Sequence, residues 1–260
     1  MDPLKIHFLD IGYGDAIVIQ LPEGGTILVD GGKPEDGPLI LNKLQQLGVK
    51  QLTALIITHF HKDHAGGLLP IFDAFLNPMT KPDQGEIPIW IPLFPEEVTS
   101  EVKPVVQALQ KQCCRIVKRG TFLPISSSVK IEVLHPTKKQ IGNKNDDSLA
   151  IKIIHGKTTL LLAADIGLAA QRELLTACGN RLHADLIKIP HHANEIDIDF
   201  LNAVAPSISI LTIGPNPYNA PNAEVVACYQ EKGQLFRTDK HGTISVTSDE
   251  DDLQILCEQH

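Results

Sequence analysis

The sequence predicts an α/β protein in which two sheets pack face to face and carry helices on their outer surfaces. Short apolar runs bounded by turn residues recur along the whole chain, which is the mark of buried strands. In each half the strands cluster first and then alternate with segments of helical period.

The first three runs, Lys5–Ile11, Ala16–Leu21 and Thr26–Val29, are rich in Ile, Val and Leu. Gly-Tyr-Gly-Asp and Pro-Glu-Gly-Gly separate them, as in strands joined by hairpin turns. From Pro38 to Leu47 the apolar positions Leu39, Ile40, Leu44 and Leu47 take helical spacing, and Gly48 ends the helix. Leu52–Ile57 is a buried strand that hands Thr58 and His59 to a loop, with a helix starting near Ala65. Further strands are expected at Ile89–Ile91, Val129–Leu134, Leu149–Ile154, Thr159–Ala163, Leu186–Ile189 and Ile208–Ile213. Helices are expected at Val102–Lys111, Leu168–Cys178, Ile196–Ala203 and Ala223–Lys232, and closing strands at Gln234–Arg237, Thr243–Thr247 and Leu253–Cys257. The Pro-rich stretch Asn77–Pro95 reads as an insertion or flap, because strong signals resume on both sides of it. No internal repeat is evident, and residues 1–260 are read as one domain.

With 43% hydrophobic and 21% charged residues in a chain of 260, a sizeable core needs no disulfides. The five cysteines are odd in number and scattered without a C-x-x-C pair, which excludes a disulfide framework and a zinc knuckle. A net charge of −8 argues against broad nucleic-acid binding through a basic face, but not against a local cationic patch. The first residues show no basic segment leading into an apolar one, and no run reaches about 18 apolar residues, so a cytoplasmic protein without a membrane partner is expected.

Function concentrates in one loop. His59, His61, Asp63 and His64 fall within six residues, directly after a buried strand. In an extended turn two imidazoles at i and i+2 aim at one point, and the next Asp and His address a second point nearby. Imidazole and carboxylate suit zinc, manganese or iron. One loop cannot close two metal sites, so ligands must come from other strand ends. The candidates are Asp165 after Thr159–Ala163, His191 and His192 after Leu186–Ile189, and Asp146 and Asp147 before Leu149–Ile154. Asp165 also suits a helix N-cap for Gly167–Cys178, but the histidine loop favours the ligand reading. His7 and His135 read as structural, His241 as loop surface, and His155 and His183 as exposed turn or strand-edge residues.

The loop resembles the H-x-H-x-D-H signature of the metallo-β-lactamase superfamily. The wider pattern is similar to the ComEC-type β-lactamase-like domain of DNA-uptake competence proteins. It runs through Phe8-Leu-Asp-Ile-Gly-Tyr-Gly-Asp15, Ile27-Leu-Val-Asp-Gly-Gly32, Leu55–Gly67, Asn145-Asp-Asp-Ser-Leu149, Leu160–Asp165, Ala184–His192 and Arg237-Thr-Asp-Lys-His-Gly242, nearly the whole chain in family order. The resemblance implies a four-layer αββα sandwich with two divalent metal ions, zinc or manganese, at one edge. By position, His59 and His61 would hold one metal and Asp63 and His64 the other. Asp165 would bridge them, and His191 (or His192) would complete the second site. Asp30 would orient the histidine loop by hydrogen bonds. Where many members carry a further histidine, this chain has Asn145-Asp-Asp-Ser148, so the first site would be weaker, or completed by Asp146 or Asp147. Tyr13 replaces the Gln of G-Q-G-D, His191-His-Ala-Asn194 stands for H-H-G-S, and Tyr218-Asn-Ala-Pro221 for Y-G-H-P.

The resulting expectation is a metal-dependent hydrolase acting through a metal-bridged hydroxide, with Asp63 and Asp165 as its catalytic carboxylates. The resemblance favours a phosphodiester substrate, as for a nuclease or nucleotide phosphodiesterase. Lys144, Asn145 and Ser148 would contact it, with Lys138 and Lys139 nearby. The alternatives are hydrolysis of a lactone, thioester or other acyl bond, and a weakly active or inactive metal-binding scaffold.

Overall fold

Strands that are apolar on both sides need cover on both faces, and the chain supplies it as four layers. The computed structural model describes residues 2–76, 86–137 and 145–259. β1 (Leu4–Phe8), β2 (Ile17–Gln20) and β3 (Thr26–Val29) form an antiparallel meander. It is followed by α1 (Gly37–Gln46), β4 (Ala54–Ile56), the single turn α2 (Lys62–Ala65), α3 (Leu68–Phe75), β5 (Ile89–Ile91), α4 (Lys103–Leu109) and β6 (Cys114–Ile116), and β3 to β6 run parallel. The second half repeats this order. A meander of β7 (Val129–His135), β8 (Ala150–His155) and β9 (Thr158–Leu162) precedes α5 (Leu168–Cys178), β10 (Leu186–Lys188), α6 (Ile198–Val204), β11 (Ile208–Leu211), α7 (Ala223–Lys232) and β12 (Gln234–Arg237), with β9 to β12 parallel. After the turn α8 (Thr238–His241), β13 (Ile244–Ser248) and β14 (Leu253–Cys257) return to the first sheet beside β1. The sheet orders are β14-β13-β1-β2-β3-β4-β5-β6 and β12-β11-β10-β9-β8-β7. The two halves thus share a topology that the sequence hides, because what they have in common is the order of apolar runs and not the residues within them.

Alternation along each strand builds the layers. Ile27 and Val29 of β3 point between the sheets, where they meet Ile6, Phe8, Ile19, Ile131, Ile153 and Leu160. Leu28 between them faces the outer helices with Leu55, Ile40, Leu44 and Ile71. In the second sheet Leu160 and Leu162 point inward, while Leu161 joins Ile187, Leu174 and Phe200 under α5 and α6. The sandwich is therefore the αββα architecture expected.

Several elements differ in extent. β6 was not expected, because Cys114–Ile116 is an exposed edge strand with Ile116 56% accessible and no buried run to betray it. The helix expected from Ala65 begins at Leu68, after Gly66 and Gly67, and the single turn α2 precedes it within the histidine loop. His155, expected at an exposed edge, is buried; its Nδ1 lies 2.8 Å from Ser248 Oγ, joining the two sheets. Part of the Asn77–Pro95 stretch lies outside the described residues. Among the described residues, no helix is long and apolar enough to cross a membrane.

The chain crosses from strand to helix at one edge, and there two loops touch. Asp15 N donates to Asp63 O at 3.0 Å, and Gly14, at φ +136°, passes so close that a β-carbon would collide with that carbonyl. Gly14→Ala is expected to cost more than about 1 kcal/mol in urea unfolding and to weaken metal uptake by displacing Asp63. Unchanged unfolding and uptake would show that the contact does not matter.

Candidate metal centre

The strand ends deliver the site. β3 leads into Asp30, β4 into Thr58 and the histidine loop, β9 into Asp165, β10 into the His191–His192 turn and β11 into Thr212. Ligand sites gather in this way where the carboxyl ends of parallel strands open into a crevice.

Three imidazoles are fixed by the same device. His64 Nδ1 donates to Asp30 Oδ2 at 2.8 Å. His192 Nδ1 donates to the Thr212 carbonyl at 2.8 Å. Thr58 Oγ1 gives its only proton to Asp30 Oδ2 at 2.6 Å, so it accepts from His59 Nδ1 at 3.2 Å. Asp30 also accepts from Thr58 N at 2.8 Å, and so it braces the whole loop. With Nδ1 held in this way, each ring turns its Nε2 inward; those of His59 and His192 are buried without a hydrogen-bond partner, and that of His64 faces Asp165. Buried polar atoms are rarely left so unless something absent from the protein is meant to meet them.

These atoms converge on one carboxylate. Asp165 Oδ2 lies 3.1 Å from His64 Nε2, 3.6 Å from His192 Nε2 and 4.0 Å from His59 Nε2. Asp63 Oδ2 lies 3.6 Å from His192 Nε2 and 4.0 Å from His64 Nε2. Donors bound tetrahedrally at about 2.1 Å from one cation stand about 3.4 Å apart, so the spacing fits a shared metal. Asp63, His64, Asp165 and His192 form one compact donor group. His61 stands at its open side, its ring 4.7 Å from that of His59. Imidazole and carboxylate donors on a ready-made scaffold fit divalent transition metals.

Beneath the group lies a residue that sequence reasoning passed over. Lys188, fully buried in β10, lies 2.6 Å from Asp15 Oδ2, 3.4 Å from Asp165 Oδ1 and 3.1 Å from the Ala164 carbonyl. Asp15 Oδ1 accepts from Thr212 Oγ1 at 2.6 Å. Lys188 thereby holds one oxygen of Asp165 and leaves Oδ2 to the imidazoles. The available signal was a lone cation inside the apolar run Leu186–Ile189, since a lysine is almost never fully buried without a partner. A second acidic group, Asp15, Asp30 and His64, is satisfied internally by these bonds and by Lys188.

The remaining candidates divide. His192, not His191, faces Asp165; His191 Nε2 meets Asn145 Nδ2 at 3.1 Å. The reason is local backbone: His191, His192 and Ala193 take φ of 48°, 51° and 60°, a left-handed turn that swings the second ring inward. Asp146 is drawn away from the centre, its Oδ1 accepting from Gly167 N at 2.9 Å and Ala170 N at 3.3 Å at the start of α5. Neither Asp146 nor Asp147 belongs to a donor group among the described residues. Ser148 is fully buried, its carbonyl 3.1 Å from His135 Nδ1, so a substrate contact from it is corrected. Asn145 does line the cavity. Lys138, Lys139 and Lys144 lie outside the described residues. The cavity over the centre holds about 590 Å³ and is walled by Tyr13, His61, Lys62, Asp63, Asn145, Asp165, His191 and Tyr218, among others.

Burial and charge set the protonation states. Burial, with His64 adding to it, drives His59 well below its ordinary value, so it is neutral. Burial also acts to lower His64, but Asp165, Asp15 and Asp30 outweigh it and hold the imidazole well above its ordinary value. Burial raises Asp165, yet His64, His192 and Lys188 prevail and keep it ionised. Burial likewise opposes the charge on Lys188, and Asp15 and Asp165 overcome it.

Fold and centre together define the class, that of a metal-dependent hydrolase. The family model described as the metallo-beta-lactamase superfamily matches residues 9–188. The chain belongs to that superfamily, whose members are typically dinuclear metal-dependent hydrolases. Over 270 residues it is 27% identical to ComE operon protein 3 of Bacillus subtilis (strain 168), covering 92% of this chain and 32% of the relative. It is 23% identical over 239 residues to Competence protein ComA of Neisseria gonorrhoeae, covering 90% of this chain and 31% of the relative. The chain spans about a third of the length of these curated relatives. Among solved structures, a diphosphatase from the PhnP family superposes with TM-score 0.53 at 14% identity, over 85% of this chain and 81% of that one.

Two outcomes follow from the charges. Lys188→Met strands Asp15 in the interior and is expected to cost about 3–5 kcal/mol in urea unfolding of the metal-free protein; a loss under about 1 kcal/mol would mean the pair is dispensable. In the metal-free protein His64 holds a proton on Nε2, which a cation must displace. Zinc titration calorimetry in two buffers of different ionisation heat should therefore show proton release at pH 7. Affinity should fall about tenfold per unit as pH drops below the raised His64 value, and level off above it. Uptake without proton release would contradict this protonation state.

Proposed function

We propose that the chain is a metal-dependent hydrolase that cleaves phosphodiesters, as a nuclease or nucleotide phosphodiesterase. The observation that carries it is the convergence of three inward-facing Nε2 atoms with Asp63 and Asp165 on the floor of an open cavity. His59, His61 and Asp165 would hold one cation and Asp63, His64, His192 and Asp165 the other. Two divalent cations, zinc or manganese, supply Lewis acidity at the scissile ester and a nucleophile from water at neutral pH. The protein's own groups prepare the rest. Asp30, Thr58 and Thr212 hold the Nδ1 side of the rings, so each Nε2 is correctly aimed before any ligand arrives. Lys188 restrains the Asp165 carboxylate from behind. Tyr13 packs against the His192 ring, centroids 4.3 Å apart, and keeps water off one flank of the site.

A phosphodiester is favoured over an acyl substrate by the cations at the mouth. Lys62 lines the main cavity, and Lys33 and Lys62 line a side pocket next to it, in a chain whose net charge is −8. These two ammonium groups, with Glu35 beside them in the side pocket and Glu101 in the cavity, give an anionic ligand two points of attachment. The resemblance of the sequence motifs to ComEC-type domains supports the same choice.

Protein reloaded with zinc or manganese should cleave a model phosphodiester, with His61→Ala and Asp165→Ala at the background rate while still folded by circular dichroism. Lactone, thioester and phosphodiester substrates assayed side by side decide the class. Turnover of an acyl substrate alone, or wild-type rates in both variants, would overturn the proposal.

A further inference from the structure

A side pocket of about 180 Å³ opens off the metal centre and shares Tyr13, Lys62, Asp63 and Tyr218 with the main cavity. The ring of Tyr218 is its outer wall. It is 56% accessible, and among the exposed large apolar side chains of the described residues it is the one that stands beside the centre. An aromatic ladder leads out to it: His192 to Tyr13, 4.3 Å between centroids, and Tyr13 to Tyr218, 5.3 Å and tilted by 41°. Lys33 Nζ stands 5.9 Å over the Tyr13 ring, and Lys62 lies on the same side, next in sequence to Asp63.

The loop that shows this ring to solvent is firmly built. Asn216 Oδ1 accepts from Tyr218 N at 3.0 Å and Ala220 N at 3.2 Å, and its Nδ2 donates to the Gly214 carbonyl at 2.9 Å and the Ala220 carbonyl at 2.8 Å. Four bonds from one side chain hold an exposed aromatic face in place, and none of them uses the ring. An exposed ring on a braced loop, one step from the reacting centre and flanked by cations, is the arrangement that binds a nucleobase by stacking while lysines face the adjoining phosphates. Tyr13 adds a second ring to this wall, and Ala220, on the same loop as Tyr218, puts no polar group there.

We infer that the pocket formed by Tyr218, Tyr13, Lys33 and Lys62 is a subsite for the nucleobase next to the scissile phosphate, with Tyr218 as its stacking surface. The inference rests on the phosphodiester reading for its biological sense, but it is a statement about binding. Stacking tolerates any base, so the subsite sets how a nucleotide is held and not its sequence.

The test is equilibrium binding of deoxyadenosine 5′-phosphate and of deoxyribose 5-phosphate to the metal-loaded protein, each by calorimetry. The base is expected to tighten binding about tenfold or more. Tyr218→Ala should erase that difference and leave deoxyribose 5-phosphate bound as before, while Tyr218→Phe, which keeps the stacking face, restores it. A single-stranded tetranucleotide tells the sources of the base apart: tighter binding than the mononucleotide means a strand, equal binding a free nucleotide. Equal affinity with and without the base, or a base effect that survives in folded Tyr218→Ala protein, would overturn the subsite. Base-dependent binding without phosphodiester turnover would keep the subsite and sink the proposed reaction instead.

Discussion

Everything at this centre depends on the buried contact between Asp30 and the histidine loop. A carboxylate with no solvent exposure takes Thr58 N and Oγ1 and His64 Nδ1 as donors, and through Thr58 it also sets the proton on His59. Taking a carboxylate out of water is costly unless every lone pair is met, so the loop is pinned in one conformation before any metal arrives. The cost is met by geometry that only the assembled sandwich provides, because Asp30 and Thr58 leave neighbouring parallel strands, β3 and β4.

Charge balance explains the other half. Asp15, Asp30, Asp63 and Asp165 crowd one edge, against Lys188 and a protonated His64 among the groups that touch them. The surplus is negative, and the inward Nε2 atoms of His59 and His192 have no partner. Both deficits are cured by the same agent, divalent cations, and the protons that hold the metal-free centre together leave as they bind. Lys188 differs from the histidines in this respect. It cannot be exchanged for a metal, and so its ammonium remains a fixed counter-charge beneath the site.

Much of this was legible in the sequence. Thr26–Val29 and Thr159–Ala163 read as strands because burial on both faces leaves a continuous apolar run, and the His59–His64 cluster read as ligands because its donor types have no other common use at that spacing. What was hidden depends on backbone direction and on long-range pairing. Nothing in Pro190-His-His-Ala says that three residues without glycine take left-handed angles and bring His192 inward in place of His191. Asp146 reads as a ligand by position, but the amides at the start of α5 claim it. Asp15 reads as a turn residue, and its partners Lys188 and Thr212 lie far along the chain. The edge strand Cys114–Ile116 carries no apolar run, so only its pairing with β5 reveals it.

The structural role given to the imidazoles is open to direct inspection. A crystal structure of the zinc-loaded protein with anomalous data should show two peaks sharing Asp165, the Nε2 atoms of His59, His64 and His192 all within about 2.2 Å of one or the other, and Lys188 still on Asp15. Zinc bound through His191, or no ordered metal between the two loops, would contradict the account.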